Sequence, residues 1–129
     1  MAKTLRRSKK TRRIVTEAIV TVVAGFNNTH ITYSDKEWKV LVSISAWVAG
    51  FKGAREATPY AAQTTAEMAT EKVKTLHGTE LVTVYIKWIG VGREQALRWL
   101  VNAWIDIDAI YDVTPIPHNG CRKKKVRKL

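Results

Sequence analysis

The sequence predicts an α/β domain built on a mixed five-stranded sheet with two main helices, and three observations predict it. Short runs of Val, Ile and Thr separated by turn clusters mark strands near both ends of the chain. Between them, Thr58-Pro59 opens and Gly78 closes a segment whose apolar residues have helical spacing. The chain has 129 residues, enough for one hydrophobic core and too few for two ordinary domains.

Ile14 to Ala24 is rich in Val, Ile, Ala and Thr without clean alternation, which predicts a first strand buried on both faces. Gly25-Phe26-Asn27-Asn28 is a turn cluster, and Thr29 to Ser34 resumes β-type residues, so the two runs form a hairpin. Asp35-Lys36-Glu37 is a second tight connection, and Trp38 to Ala46 adds a third strand to make a meander. The stretch from Gly50 to Ala57 is too rich in glycine for regular structure. The first helix runs from Pro59 to about His77, with Ala62, Ala66, Ala69, Val73 and Leu76 on one stripe. Alanines on that stripe allow close approach to a sheet.

Glu80 to Trp88 alternates as a strand should: Leu81, Thr83, Tyr85 and Lys87 face one way, Val82, Val84, Ile86 and Trp88 the other. A short loop, Ile89 to Glu94, leads into a second helix on which Leu97, Leu100, Val101 and Trp104 recur at helical spacing. Ile105 to Thr114 is the fifth strand, closed by Pro115 and Pro117. Three strands in series, followed by alternating helices and strands, predict one mixed sheet covered by helices.

The charge is unevenly placed. With 22 bases and 11 acids the formal net charge is +11. Lys3, Arg6, Arg7, Lys9, Lys10, Arg12 and Arg13 crowd residues 1–13. Arg122, Lys123, Lys124, Lys125, Arg127 and Lys128 crowd residues 121–129. Residues 14–120 keep only nine bases against all 11 acids. The organisation is therefore a basic arm (1–13), one near-neutral α/β domain (14–120) and a second basic arm (121–129). Blocks of like charge repel, so both arms are expected to be disordered until a polyanion neutralises them.

Nucleic acid is the partner that fits, because each Lys or Arg that meets a phosphate releases condensed counterions. A solubilising or localisation role for the arms is the plainer alternative. The arms lack the large apolar residues of a membrane-surface helix, and no apolar run approaches the ~18 residues of a membrane span. The amino-terminal stretch has no apolar core of a secretory signal. A single cysteine, Cys121, supplies neither an internal disulfide nor a zinc site, which points to a reducing compartment.

No enzyme emerges from the residues. Gly90-x-Gly92 begins like a dinucleotide fingerprint, but Gln95 stands where the third glycine belongs. His30, His77 and His118 lie in separate segments, and no motif frames Cys121 as a nucleophile. No catalytic residue, metal, cofactor or small-molecule substrate is predicted. The loops suit phosphate binding instead. Gly50 to Arg55 and Gly90 to Arg93 each place glycine and a base ahead of a helix, where backbone N–H groups and an Arg fork can hold phosphate. Asn27 and Asn28 either contact bases and sugars or simply make the turn. Phe26 and Phe51 either stack on an unpaired base or pack in the core. Asn119-Gly120, aimed by Pro115 and Pro117, is expected to turn tightly with the glycine at positive φ. The reading is a domain that grips folded RNA by shape and phosphate position, with a DNA-compacting protein as the rival.

The string Asp112-Val113-Thr114-Pro115-Ile116-Pro117-His118-Asn119-Gly120-Cys121-Arg122 closely resembles the carboxy-terminal signature of the small-subunit ribosomal protein S-eleven family. Phe26-Asn27-Asn28-Thr29, Gly50-Phe51-Lys52-Gly53 with Arg55, Thr58-Pro59-Tyr60-Ala61-Ala62-Gln63 and Gly92-Arg93-Glu94 match it in the family's order. The resemblance implies a ribonuclease-H-like α/β domain without nuclease activity, bound to ribosomal RNA on the small-subunit platform near the messenger exit path and beside other platform proteins. It implies RNA contacts at Asn27, Asn28, Lys52, Gly53, Arg55, Gly90, Gly92, Arg93, His118, Asn119, Gly120 and Arg122, and the tail bases Lys123, Lys124 and Lys125 extend that set. Five positions in three places depart from the family pattern: Trp88-Ile89 replaces Gly-Pro, Glu56 replaces a base or small residue, and Lys123-Lys124 replaces Pro-Pro. Such drift, with five tryptophans, suits an organelle genome, so a plastid ribosome is expected, with the bacterial cytoplasm as alternative.

Overall fold

The computed structural model describes residues 14–102 and 105–127. Five strands, two α-helices and one 3-10 turn follow in order: β1 (Glu17–Ala24), β2 (Thr29–Ser34), β3 (Val40–Ser45), the turn Gly53–Ala57, α1 (Pro59–His77), β4 (Leu81–Lys87), α2 (Arg93–Asn102) and β5 (Asp106–Asp112). The strands form one sheet in the order β3-β2-β1-β4-β5. β1 pairs antiparallel with β2, and β2 with β3, whereas β1–β4 and β4–β5 are parallel. The expected mixed five-stranded α/β fold is therefore present. The segment expected to be irregular, Gly50 to Ala57, contains the 3-10 turn: Gly50 precedes it and Gly53 is its first residue, so neither glycine interrupts it.

Local chemistry sets the connections. In the β1–β2 hairpin Gly25 N donates to Asn28 O at 3.0 Å, and Asn28 Oδ1 accepts from Thr29 N at 2.8 Å. At the β2–β3 turn, Asp35 Oδ1 accepts from the backbone N–H groups of Glu37 and Lys39, each at 2.9 Å. α1 starts where Thr58 Oγ1 accepts from Ala61 N at 3.2 Å, and ends at Gly78, whose N–H reaches Lys74 O at 3.1 Å.

Both helices lie on one face of the sheet. Ala62, Ala66, Ala69 and Val73 of α1 join Val20, Val22, Ile31, Tyr33, Ile44, Val82 and Val84 in a single core. Three expectations are corrected here. β1 is buried on one face only: Ile19, Thr21 and Val23, facing away from the helices, are half-covered. Leu76 is half-buried, and His77 is buried at the end of α1. On α2 the buried residues are Ala96 and Leu100, while Val101 is 62% exposed and Trp104 lies outside the described residues. The first and the third share a cause. The helices pack against each other as well as on the sheet, so the buried stripe of α2 turns toward α1 and the far face stays open. On that open face Tyr85 stacks with Tyr111 at 5.3 Å between centroids and meets Trp38 at 5.4 Å.

One polar contact crosses the core. Tyr33 of β2 and Thr70 of α1 share a hydrogen bond of 2.8 Å between buried hydroxyls. Desolvation pushes the Tyr33 phenol up to about 12, against the lowering effect of the Thr70 bond. Tyr33→Phe should cost about 1–3 kcal/mol by leaving the Thr70 hydroxyl buried and unpaired. Tyr33→Phe with Thr70→Val should recover most of that loss, read from urea unfolding as a double-mutant cycle.

Candidate nucleic-acid interface

Topology gathers the predicted loops. β1, β4 and β5 run parallel, so their carboxy ends share one end of the sheet. β2 begins at that end and β3 finishes there, with Ala46 N donating to Thr29 O at 3.0 Å. Asn27 and Asn28, the 46–58 connection with Lys52, Gly53 and Arg55, the Gly90–Arg93 loop and the start of the carboxy-terminal segment therefore all lie at one pole. The residues at this pole divide into exposed ones and ones committed to the fold.

Asn27, Lys52, Gly53 and Arg55 are exposed, as are His118, Asn119, Gly120, Arg122, Lys123, Lys124 and Lys125. Asn28 is half-buried and its side chain makes the hairpin turn. Lys52 Nζ sits 5.0 Å from the ring centre of Trp47, a cation–π contact that holds the base beside an exposed indole. No motif in the sequence singles out Trp47. Phe26 is exposed to solvent, whereas Phe51 packs edge-on against Tyr60 at 5.6 Å. Residues 113–127 contain neither helix nor strand, and those from 115 onward are exposed. The arm at 1–13 lies outside the described residues, as do residues 128 and 129.

The two loop glycines serve packing. A Cβ on Gly90 would overlap both Ala24 O and Gly25 O, backbone atoms that have no rotamer to escape into. A Cβ on Gly92, which is buried, would stand 2.6 Å from Ala62 Cβ and 2.9 Å from Thr29 Oγ1. The helix starts also offer fewer free donors than expected. Pro59 has no N–H, Thr58 takes the one on Ala61, and Arg93 N donates to Gly90 O at 3.3 Å.

Arg93 closes a ring of hydrogen bonds. Its Nη2 donates to Asp112 Oδ2 at 2.8 Å and its Nη1 to Trp88 O at 3.3 Å. Thr114 Oγ1 donates to Asp112 Oδ1 at 2.7 Å and accepts from Trp88 N at 3.0 Å. Trp88 is thus held through both of its peptide groups, and it has a left-handed backbone, φ 67°. Such a conformation costs a bulky residue about 1–2 kcal/mol. Two hydrogen bonds at about 1 kcal/mol each are enough to offset it. The Arg93 bond, then the Thr114 bonds, hold the Asp112 carboxyl down at about 2. Asp112 was visible in the sequence, but its pairing with a base 19 residues earlier has no local signature.

The carboxy-terminal turn differs from expectation. Asn119, not Gly120, adopts the left-handed conformation, φ 56°. A Cβ on Gly120 would meet Pro117 Cβ at an ordinary 3.5 Å. Asn tolerates that conformation better than other side-chain-bearing residues, so the turn forms without positive φ at glycine.

Among the described residues no His, Cys, Asp and Glu group could hold a metal ion, and no helix is long and apolar enough to cross a membrane. An α/β domain whose polar loops share one pole with the root of a cationic tail has the make-up of a nucleic-acid-binding protein. Comparison with known proteins gives the family. The family model described as Ribosomal protein S11 matches residues 18–128, and the chain belongs to that family. The Small ribosomal subunit protein uS11 of Borreliella burgdorferi is 49% identical over 121 residues, covering 94% of this chain and 92% of that protein. The protein of the same name from Acidiphilium cryptum is 44% identical over 128 residues, covering 99% and 98%. These relatives are bacterial and lend no support to a plastid setting.

The packing and the ring are each open to measurement. Gly90→Ala should destabilise the domain by about 1–3 kcal/mol in denaturant unfolding, because the added carbon meets backbone, whereas Gly120→Ala should be close to neutral. Asp112 has its folded pKa below the ordinary value of 3.8. Its contribution to stability is therefore complete above about pH 4–5 and is lost as pH falls toward about 2. The carboxyl should titrate near 2 by NMR, and the difference in Tm between wild type and Asp112→Asn should vanish across the same window.

Proposed function

We propose that the chain is a structural constituent of the small ribosomal subunit, binding ribosomal RNA on the platform and helping to shape the messenger exit region during translation. The observation that carries the reading is the gathering of Asn27, Lys52, Arg55 and the root of the basic carboxy-terminal segment at one pole of a chain that belongs to the ribosomal protein S11 family. The exposed bases and Asn27, His118 and Asn119 contact RNA, and neighbouring platform proteins cover other surfaces. Gly90, Gly92 and Arg93 act by fixing the shape that presents these contacts. The basic arms supply phosphate neutralisation, and the fixed loops supply register. The bacterial relatives favour a bacterial ribosome over a plastid one.

Sedimentation of the native protein with small subunits in high salt tests the assignment directly. Equal binding of duplex DNA and structured ribosomal RNA would instead favour the DNA-compacting alternative. Deleting residues 122–129 should leave the fold intact and flatten the salt dependence of log affinity for small subunits, by about 0.7–0.9 for every base that meets a phosphate. An unchanged slope would mean that the tail does not touch RNA.

A further inference from the structure

Between the β1–β2 hairpin and the β4–α2 loop lies a cavity of about 250 Å3, lined by Ala24, Gly25, Phe26, Trp88, Ile89 and Thr114. Its wall is almost wholly apolar. Even so, Phe26 is 83% exposed, Ile89 72% and Trp88 46%. Large apolar side chains clustered in water mark a binding surface. Both walls are fixed before anything binds, one by the approach of Gly90 to Ala24 and Gly25, the other by the bonds to the two peptide groups of Trp88. The indole stands on a left-handed residue, where glycine would be free of strain.

An aromatic-walled apolar cleft fits either an unpaired nucleobase or an apolar side chain of a protein partner. Charge separates them. Thr114 lines the cavity and leads, eight residues on, into Arg122, Lys123, Lys124, Lys125 and Arg127. Asn27, exposed and with an amide suited to base edges, directly follows Phe26. No acid lines the cavity, and the carboxylate of Asp112 is engaged by Arg93. The surroundings therefore suit an occupant that carries phosphate.

We infer that this cavity takes an unpaired nucleobase of ribosomal RNA, stacked against the rings of Phe26 and Trp88. The inference rests on the RNA-binding reading above and names the chemical group that the pole captures. Stacking adds affinity without releasing counterions, so it leaves a different signature from the cationic arms.

The test uses full-length protein and small subunits assembled without this chain, over a salt series. Trp88→Gly should keep or raise the thermal transition, since it relieves the left-handed strain. It should bind about 5- to 100-fold more weakly with an unchanged salt slope. Trp88→Phe should keep most of the affinity. If Trp88→Gly fails to fold, Phe26→Leu, at a side chain already in water, should give the same loss. A photoreactive benzophenone side chain placed at Ile89 should crosslink to an rRNA nucleotide. Wild-type affinity in Trp88→Gly, or in Phe26→Leu should the first not fold, would overturn the inference alone, as would a crosslink to protein. Failure of the wild type to bind would overturn the RNA reading and this inference together.

Discussion

The pole that gathers the loops depends on one steric constraint, the contact of the β4–α2 loop with the end of β1. At Gly90 the backbone lies so near the carbonyl oxygens of Ala24 and Gly25 that only a hydrogen fits. A side chain in the way can change rotamer, but a carbonyl at the end of a paired strand cannot. The contact therefore fixes two loops beyond the last ladder bonds of β1 and β4. Two residues on, Gly92 repeats the device against Ala62 and Thr29, which seats the start of α1 beside the start of α2. The small residues on α1 and in the loop are two halves of one packing solution.

The Arg93–Asp112 pair belongs to the same scaffold, although its two partners are surface groups. A lone exposed ion pair contributes roughly 0–1 kcal/mol. This one does more by direction than by energy, because the guanidinium also binds Trp88 O and the carboxylate also binds Thr114. The ring joins the end of β5 to the loop after β4, and from Thr114 the chain leaves as the cationic tail. The point from which that tail departs is thus held by a residue that a motif reading assigns to phosphate. Glycine followed by arginine before a helix is the pattern of an anion site and equally of a tightly packed corner. Only the partner across the fold decides.

That ambiguity marks the boundary of what the sequence makes legible. Features with a local cause were readable: the Thr58 cap and Gly78 stop of α1, the alternation of β4, the Gly25–Asn28 hairpin, and the mixed sheet that their order implies. Features set by a distant partner were not. Ile19 and Val23 have the composition of a doubly buried strand, yet their open face follows from two helices choosing each other and one side of the sheet. Val101 shares helical spacing with Leu97 and Leu100, but the fully buried residues of α2 are Ala96 and Leu100, with Leu97 only partly covered. In the carboxy-terminal turn Asn119 takes the left-handed conformation that composition assigned to its neighbour. At the candidate site, residue types were legible and their division into contact and scaffold was not.

That division has a thermodynamic consequence. Cationic arms give affinity that is strong, long-ranged and indifferent to sequence, so on their own they would hold any polyanion in many registers. Selecting one register requires groups whose positions do not adjust to the wrong partner. The near-neutral domain supplies such groups by steric means, glycine against carbonyl and a bonded peptide at Trp88, which salt does not screen as it screens exposed charge. Under the proposed function, affinity and register rest on different physics in different parts of the chain. Raising the salt should weaken the first while leaving the second in place.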